Sequence, residues 1–257
     1  MISEKVKENS SDFPEGADNY QDILEELVKA GVLYGRKKSK THPKMKKHIF
    51  ATRNGFEIID IVQTLKMIEL AEEFLKEKIR HGGSVMFVGT TPAAGELVKS
   101  LSSDLNYPYV VDRWLGGTLT NFKTLYQRIQ YYIKLKSDRD LGRLEKYTKK
   151  ERSKFDKEIE RLNHLFGGLE KMTKLPEVLI VLGVSSHLIA IKEAKKMNIP
   201  VIGLVSSDAD PNLVDFPIPA NDRAKSSIAW ILERLSNAIK EGKRIHIEKK
   251  EDQEIIK

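Results

Sequence analysis

The chain has 257 residues, 40% hydrophobic and 32% charged, with 44 Lys and Arg against 37 Asp and Glu and no cysteine. That length can bury the core of one or two domains. The missing thiols exclude disulfides, thiolate metal sites and cysteine nucleophiles, and no apolar run approaches the roughly 20 residues of a bilayer crossing.

In chain order, residues 1–19 are polar and are expected to form a mobile tail. The start, MISEKVKENSSDFPEGADNY, lacks the apolar core of a secretion signal and is too acidic for a transit peptide, so a cytoplasmic protein is expected. QDILEELVKAGVL then spaces Ile23, Leu24, Leu27 and Val28 on one helical face, with Gly31 as its stop signal. Residues 36–48, RKKSKTHPKMKKH, hold seven cations (Arg36, Lys37, Lys38, Lys40, Lys44, Lys46, Lys47) and no acid, and without them the remaining 37 basic residues balance the 37 acidic ones. The whole positive excess therefore lies in thirteen residues, read as a loop. A block of one sign repels itself and is held compact by a polyanion, which points to nucleic acid. Downstream, Asn54-Gly55 between two β-prone runs predicts a hairpin, and Leu65, Ile68, Ala71 and Leu75 predict a helix ending at Gly82-Gly83.

Short, nearly continuous apolar runs follow at 84–90, 109–111, 177–183 and 200–207, with helical stretches at 92–105, 187–197 and 224–241. Strands buried on both faces read this way when crossover helices cover a parallel sheet, so the fold class is α/β, an open, mainly parallel, doubly wound sheet of the Rossmann-like or flavodoxin-like kind. One insertion breaks the rhythm. Leu119, Phe122, Leu125, Ile129, Tyr132 and Ile133, and later Phe155, Ile159, Leu162, Leu165, Phe166 and Leu169, recur three and four apart about a polar joint at 137–148. They predict an antiparallel helical hairpin over 118–171 that projects from a sheet domain made of 20–117 and 172–242, with a charged tail over 243–257. The corner VVDRWLGGTLTN enters the insertion. Thr118 suits a helix N-cap and Trp114 suits packing at the junction.

The strand ends, where such sheets take ligands, offer little chemistry. FVGTTPAAGEL has Gly89 and Gly95 only, and no Gly-Lys-Ser/Thr, so it is no phosphate loop; Pro92 suits a first helical turn. Asp208 and Asp210 read as turn formers before they read as a cation site. Ser186 beside His187 makes no triad, and Ser185 or Ser186 suits a helix N-cap. The histidines show no metal-ligand spacing.

AGVLYGRKKSKTHPKMKKHIFATRNGFEIIDI, FVGT, RWLGGTLTN and the run from Leu175 to Ile228 together resemble the bacterial type of the small-subunit ribosomal protein S2 family, over about Tyr20 to Gly242. The resemblance implies a non-catalytic structural constituent of the small ribosomal subunit, bound to small-subunit ribosomal RNA and neighbouring ribosomal proteins, with no cofactor, metal, membrane or small-molecule substrate. The residues expected to meet RNA are Arg36, Lys37, Lys38, Lys40, Lys44, Lys46 and Lys47 of the basic loop, with Arg53 and Arg113; Arg113 is available either to phosphate or to the corner's own carbonyls. Where relatives tend to read G-V-H-F-G-H, this chain has Gly31, Val32, Leu33, Tyr34, Gly35 and Arg36, and Thr91 stands where a basic residue is usual. Two rival readings remain, a nucleotide-binding α/β enzyme and a free RNA-binding regulator.

Overall fold

A computed structural model describes residues 17–255, and the side chains of 20–248. The tail expected over 1–19 lies outside the described residues, except for its last three. In chain order the elements are α1 (Ala17–Lys29), β1 (Tyr34–Lys37), β2 (Ile49–Arg53), β3 (Phe56–Ile59), α2 (Ile61–Arg80), β4 (Val85–Val88), α3 (Pro92–Leu105) and β5 (Tyr109–Val110). After them come α4 (Phe122–Asp140), α5 (Lys149–Phe166), β6 (Val178–Leu182), α6 (Leu188–Lys196), β7 (Val201–Val205), β8 (Phe216–Pro219) and α7 (Lys225–Ile255).

Five strands form one parallel sheet in the order β5-β4-β6-β7-β8. The chain enters at β4, steps to β5, returns across β4 to β6 and then winds outward, so the direction of winding reverses between β4 and β6. This is the doubly wound α/β arrangement, with its switch point at that pair. Alternate residues of each strand serve opposite faces. Val85 and Phe87, with Ile180, Leu182, Ile202 and Leu204, join the core under α1, α2, α3 and α7. Met86 and Val88, with Leu179, Val181, Val201 and Val205, join a second core under α6 and the helical hairpin. Burial on both faces explains why these strands read as unbroken apolar runs.

Pro217 and Pro219 belong to the edge strand β8, which the apolar runs of the sequence do not include; an edge position tolerates them, since one side of the strand carries no ladder. The hairpin's first helix begins at Phe122 and not at Thr118, whose hydroxyl donates to Leu115 O at 2.6 Å within a run of turns. Its second helix opens on a capping box, in which Thr148 and Glu151 satisfy each other's backbone N–H groups. Nor do Ser185 and Ser186 cap α6; His187 holds the N-cap position without a side-chain cap bond. Helix α7 continues past its expected end at 241 to Ile255, through most of the charged stretch assigned to a tail. Its face of Ile228, Ile231, Leu235 and Ile239 packs on Leu65, Ile68, Leu75 and Ile79 of α2. A forked pair from Arg234 to Glu72, at 2.6 and 3.0 Å, closes the rim of that interface.

Candidate nucleic-acid interface

The basic stretch is a built element and not a solvated loop. Gly31 turns the chain out of α1 at φ +74°, and Tyr34–Lys37 pairs antiparallel with β3, whose other side carries β2. The expected Asn54-Gly55 hairpin joins β2 to β3, both residues at positive φ. Two turns of 3₁₀ helix, Lys38–Lys40 and Pro43–His48, complete the segment. Gly35 has a packing reason: a Cβ there would stand 2.9 Å from Ser207 Oγ and 3.1 Å from Glu57 O, so β1 can lie against the loop after β7 only without a side chain.

That loop and the one after β8 hold the segment. Arg36 N–H donates to Ser207 Oγ at 2.7 Å, and His42 N–H donates to Ser207 O at 2.8 Å. The Arg36 guanidinium reaches Asp222 at 2.7 Å and Asp208 at 3.5 Å, and Lys44 Nζ reaches Asp210 at 2.7 Å. Met45 is fully buried in the second core, and His48 Nδ1 lies 2.9 Å from Gln63 Oε1. Burial pushes the Asp222 carboxyl above its ordinary range in spite of Arg36, whereas the bond from Lys44 holds Asp210 below it. Inside the small sheet, Glu57 is buried and accepts the hydroxyls of Thr41 and Thr52 at 3.1 and 2.8 Å.

The candidate residues are thereby sorted. Lys37, Lys38, Lys40, Lys46, Lys47 and Arg53 are exposed on one acid-free segment. Arg36 is tied to carboxylates within the protein, and Lys44 is exposed but paired. Arg113 is also exposed, yet it follows β5, three strand positions from β7 and so about 14 Å across the sheet from the loop that carries the segment.

The corner from Arg113 to Asn121 wraps a residue that sequence reasoning missed. Glu193, on the buried side of α6, accepts Trp114 Nε1–H at 3.1 Å, Gly117 N–H at 2.8 Å, Leu119 N–H at 3.0 Å, Thr120 N–H at 3.2 Å and the Thr120 hydroxyl at 3.3 Å. Burial alone would raise its carboxyl; these donors outweigh burial and hold it below the usual range. Gly117, at φ +91°, supplies the bend that turns successive N–H groups inward. Trp114 packs against the second core, as expected. The signal available in sequence is a corner rich in free amide donors with an indole beside them, a shape that calls for an acceptor.

At the switch point, His187 bridges the loops that follow β4 and β6. Its Nε2 accepts Thr90 N–H at 3.0 Å and its Nδ1–H donates to Gly183 O at 2.7 Å, so neither ring nitrogen is left to serve Ser186 as a base. Burial keeps this imidazole neutral by lowering its pKa. Beyond the strand ends a cavity of about 460 Å³ is lined by Arg36, Thr91, Ser185, Ser186, Asp208 and Asp222, where the guanidinium already faces both carboxylates. Among the described residues no group of three or more His, Cys, Asp or Glu could hold a metal ion, and no helix is long and apolar enough to cross a membrane.

A family model described as Ribosomal protein S2 matches residues 27–242. The Small ribosomal subunit protein uS2 of Dictyoglomus thermophilum is 41% identical over 221 residues, covering 86% of this chain and 90% of the relative. Proteins of the same name from Mycobacteroides abscessus and Nocardia farcinica are 42% and 41% identical over 219 residues, covering 85% of this chain and 79% and 77% of theirs.

Proposed function

We infer the function from one premise: the chain belongs to the ribosomal protein S2 family and is a structural, non-enzymatic protein of the small ribosomal subunit. Its finer work is to bind small-subunit ribosomal RNA in the cytoplasm and to support assembly of the subunit beside neighbouring ribosomal proteins. No small-molecule substrate or cofactor enters this reading. The observation that carries it is the division of charge around the basic segment: the nearby acids, Asp208, Asp210, Asp222 and Glu57, are engaged in holding the segment in place, while five lysines and Arg53 face outward with no acid among them. Such a surface neutralises phosphates and releases counterions, which gives affinity that falls steeply with salt and carries little sequence preference. The parallel sheet and Met45 make it rigid, so little ordering cost is met on binding.

Changing Lys37, Lys38, Lys46 and Lys47 together to Gln is expected to remove the protein from small subunits in a sedimentation profile while leaving its melting temperature within a few degrees. The salt dependence of RNA binding should flatten by roughly 0.7 to 0.9 in log K per log salt for each phosphate no longer neutralised. A folded variant found on the subunit at normal occupancy refutes this role of the segment.

A further inference from the structure

From Tyr34 to Phe56 there are eight Lys or Arg and no Asp or Glu. The same 23 residues hold three of the five exposed aromatic side chains among the described residues, Tyr34 (54% exposed), Phe50 (53%) and Phe56 (45%). The other two, Tyr131 and Tyr147, belong to the helical hairpin. The small sheet does bury apolar groups where a core reaches it: Ile58 and Ile59, two and three residues after Phe56, are 8% and 1% exposed. Of the three rings only Phe56 lies at the other end, next to the Asn54-Gly55 turn; Tyr34 is the partner of Ile58, and Phe50 lies between Ile49 and Ala51, the partners of Ile59 and Ile58.

Strand register sets their company. Phe56 of β3 is the cross-strand partner of Lys37 on one side and of Arg53 on the other. Directly paired residues share a face, their Cβ atoms about 5 Å apart. The sheet's outer end therefore shows one ring between two cations. Protein-binding surfaces are depleted in Lys, whereas a ring flanked by positive charge matches a nucleotide with its base unstacked. The ring takes the π-face of the base and the cations take the phosphates. A duplex keeps its base faces covered and leaves the ring without a partner.

We propose that the outer end of the three-stranded sheet binds an unpaired stretch of RNA, with a base stacked on Phe56 and with Lys37 and Arg53 on the phosphates to either side. This rests on the RNA-binding reading and names which form of RNA the segment takes.

The test uses the full chain, a labelled ten-nucleotide uridine oligoribonucleotide and an RNA duplex of the same length. Phe56→Leu, which keeps apolar volume and removes the π-face, is expected to weaken single-strand binding roughly tenfold, in line with the stacking effect of one base. Duplex binding and the salt slope should stay unchanged, because every cation that meets a phosphate is still present. Phe56→Trp should keep or raise single-strand affinity, a response that a general loss of structure does not give. No fall for the single strand, or an equal fall for both RNAs, overturns the proposal. Lys37→Gln with Arg53→Gln should weaken both RNAs and flatten the salt slope; if it changes neither, the phosphate reading fails, and that failure is distinct from a failure of stacking.

Discussion

The helical hairpin joins the parallel sheet through one buried carboxylate, Glu193, which accepts hydrogen bonds only from neutral donors; the basic segment joins the same sheet through carboxylates that face cations, Asp222 and Asp208 at Arg36 and Asp210 at Lys44. The first joint fixes direction, since four N–H groups and a hydroxyl converging on two oxygens define one orientation of the corner, and it is indifferent to salt. The second also sets how much charge the segment presents. It keeps two of the seven cations for internal use and leaves five lysines to the outside, together with Arg53 from the adjacent strand. Composition alone overstates the unpaired charge of the segment by those two residues.

The largest effect is expected at the first joint. Glu193→Ala leaves several buried donors without an acceptor and should cost about 3–5 kcal/mol, read from the urea midpoint. Amide exchange should rise first around 117–122, where the hairpin leaves the sheet. Glu193→Gln should cost less, because one oxygen still accepts. The wild-type contribution also has a defined pH window. A carboxyl held below its ordinary value stabilises the fold fully above the unfolded value near 4.3 and loses that contribution as pH falls through the lower folded value. A cost for Glu193→Ala below about 1 kcal/mol would remove the distinction between the joints.

These joints also mark where the sequence is readable. The four apolar strands, α3 within its two ends and the hairpin's existence follow from periodicity, because burial on one or two faces leaves a direct pattern in the residues. The register of the small sheet does not: Arg36 and Lys37 read as charged loop, and only their pairing with β3 and the narrow gap between Gly35 and Ser207 make them part of a strand. Glu193 sits in IKEAKK, which reads as a solvated helix face, and its donors lie 73 to 79 residues earlier. Arg36 reads like the other cations because a side chain's partner 186 residues away has no local trace. The basic segment and its sign are visible in the residues themselves; which of its cations stay unpaired is decided by tertiary structure.

At the second joint, Arg36→Met leaves Asp222 buried beside Asp208 and should cost about 2–4 kcal/mol at pH 7. The sign of its pH dependence separates it from packing loss. A carboxyl raised by burial favours the folded state below its unfolded value near 3.9 and subtracts stability as pH rises through the folded value. Removing the guanidinium moves that loss further up in pH. The melting-temperature difference between Arg36→Met and the wild type should therefore shrink from pH 7 to pH 5, and a difference that stays the same on acidification would show that Arg36 acts by packing alone.

The smallest effect belongs to the switch point, where a neutral ring does what charge does at the two joints. His187 must accept Thr90 N–H through Nε2 while Nδ1–H donates to Gly183 O, so a proton on Nε2 breaks the first bond, and burial opposes the charge as well. The unfolded chain binds a proton at this residue near pH 6.5, and the folded chain does not until a lower pH. Stability from this residue is thus complete above 6.5 and declines as pH falls toward the folded value, by at most about 0.7 kcal/mol between pH 7 and pH 6. His48, also buried with its pKa lowered chiefly by burial, adds a similar slope, so the comparison is made against a variant and not against zero. His187→Gln should melt lower than the wild type at pH 7 and show a shallower loss from pH 7 to pH 6. An equal slope in the two proteins would mean that the ring titrates in the folded state as it does in the unfolded one, and that the link between the loops after β4 and β6 does not depend on its neutrality.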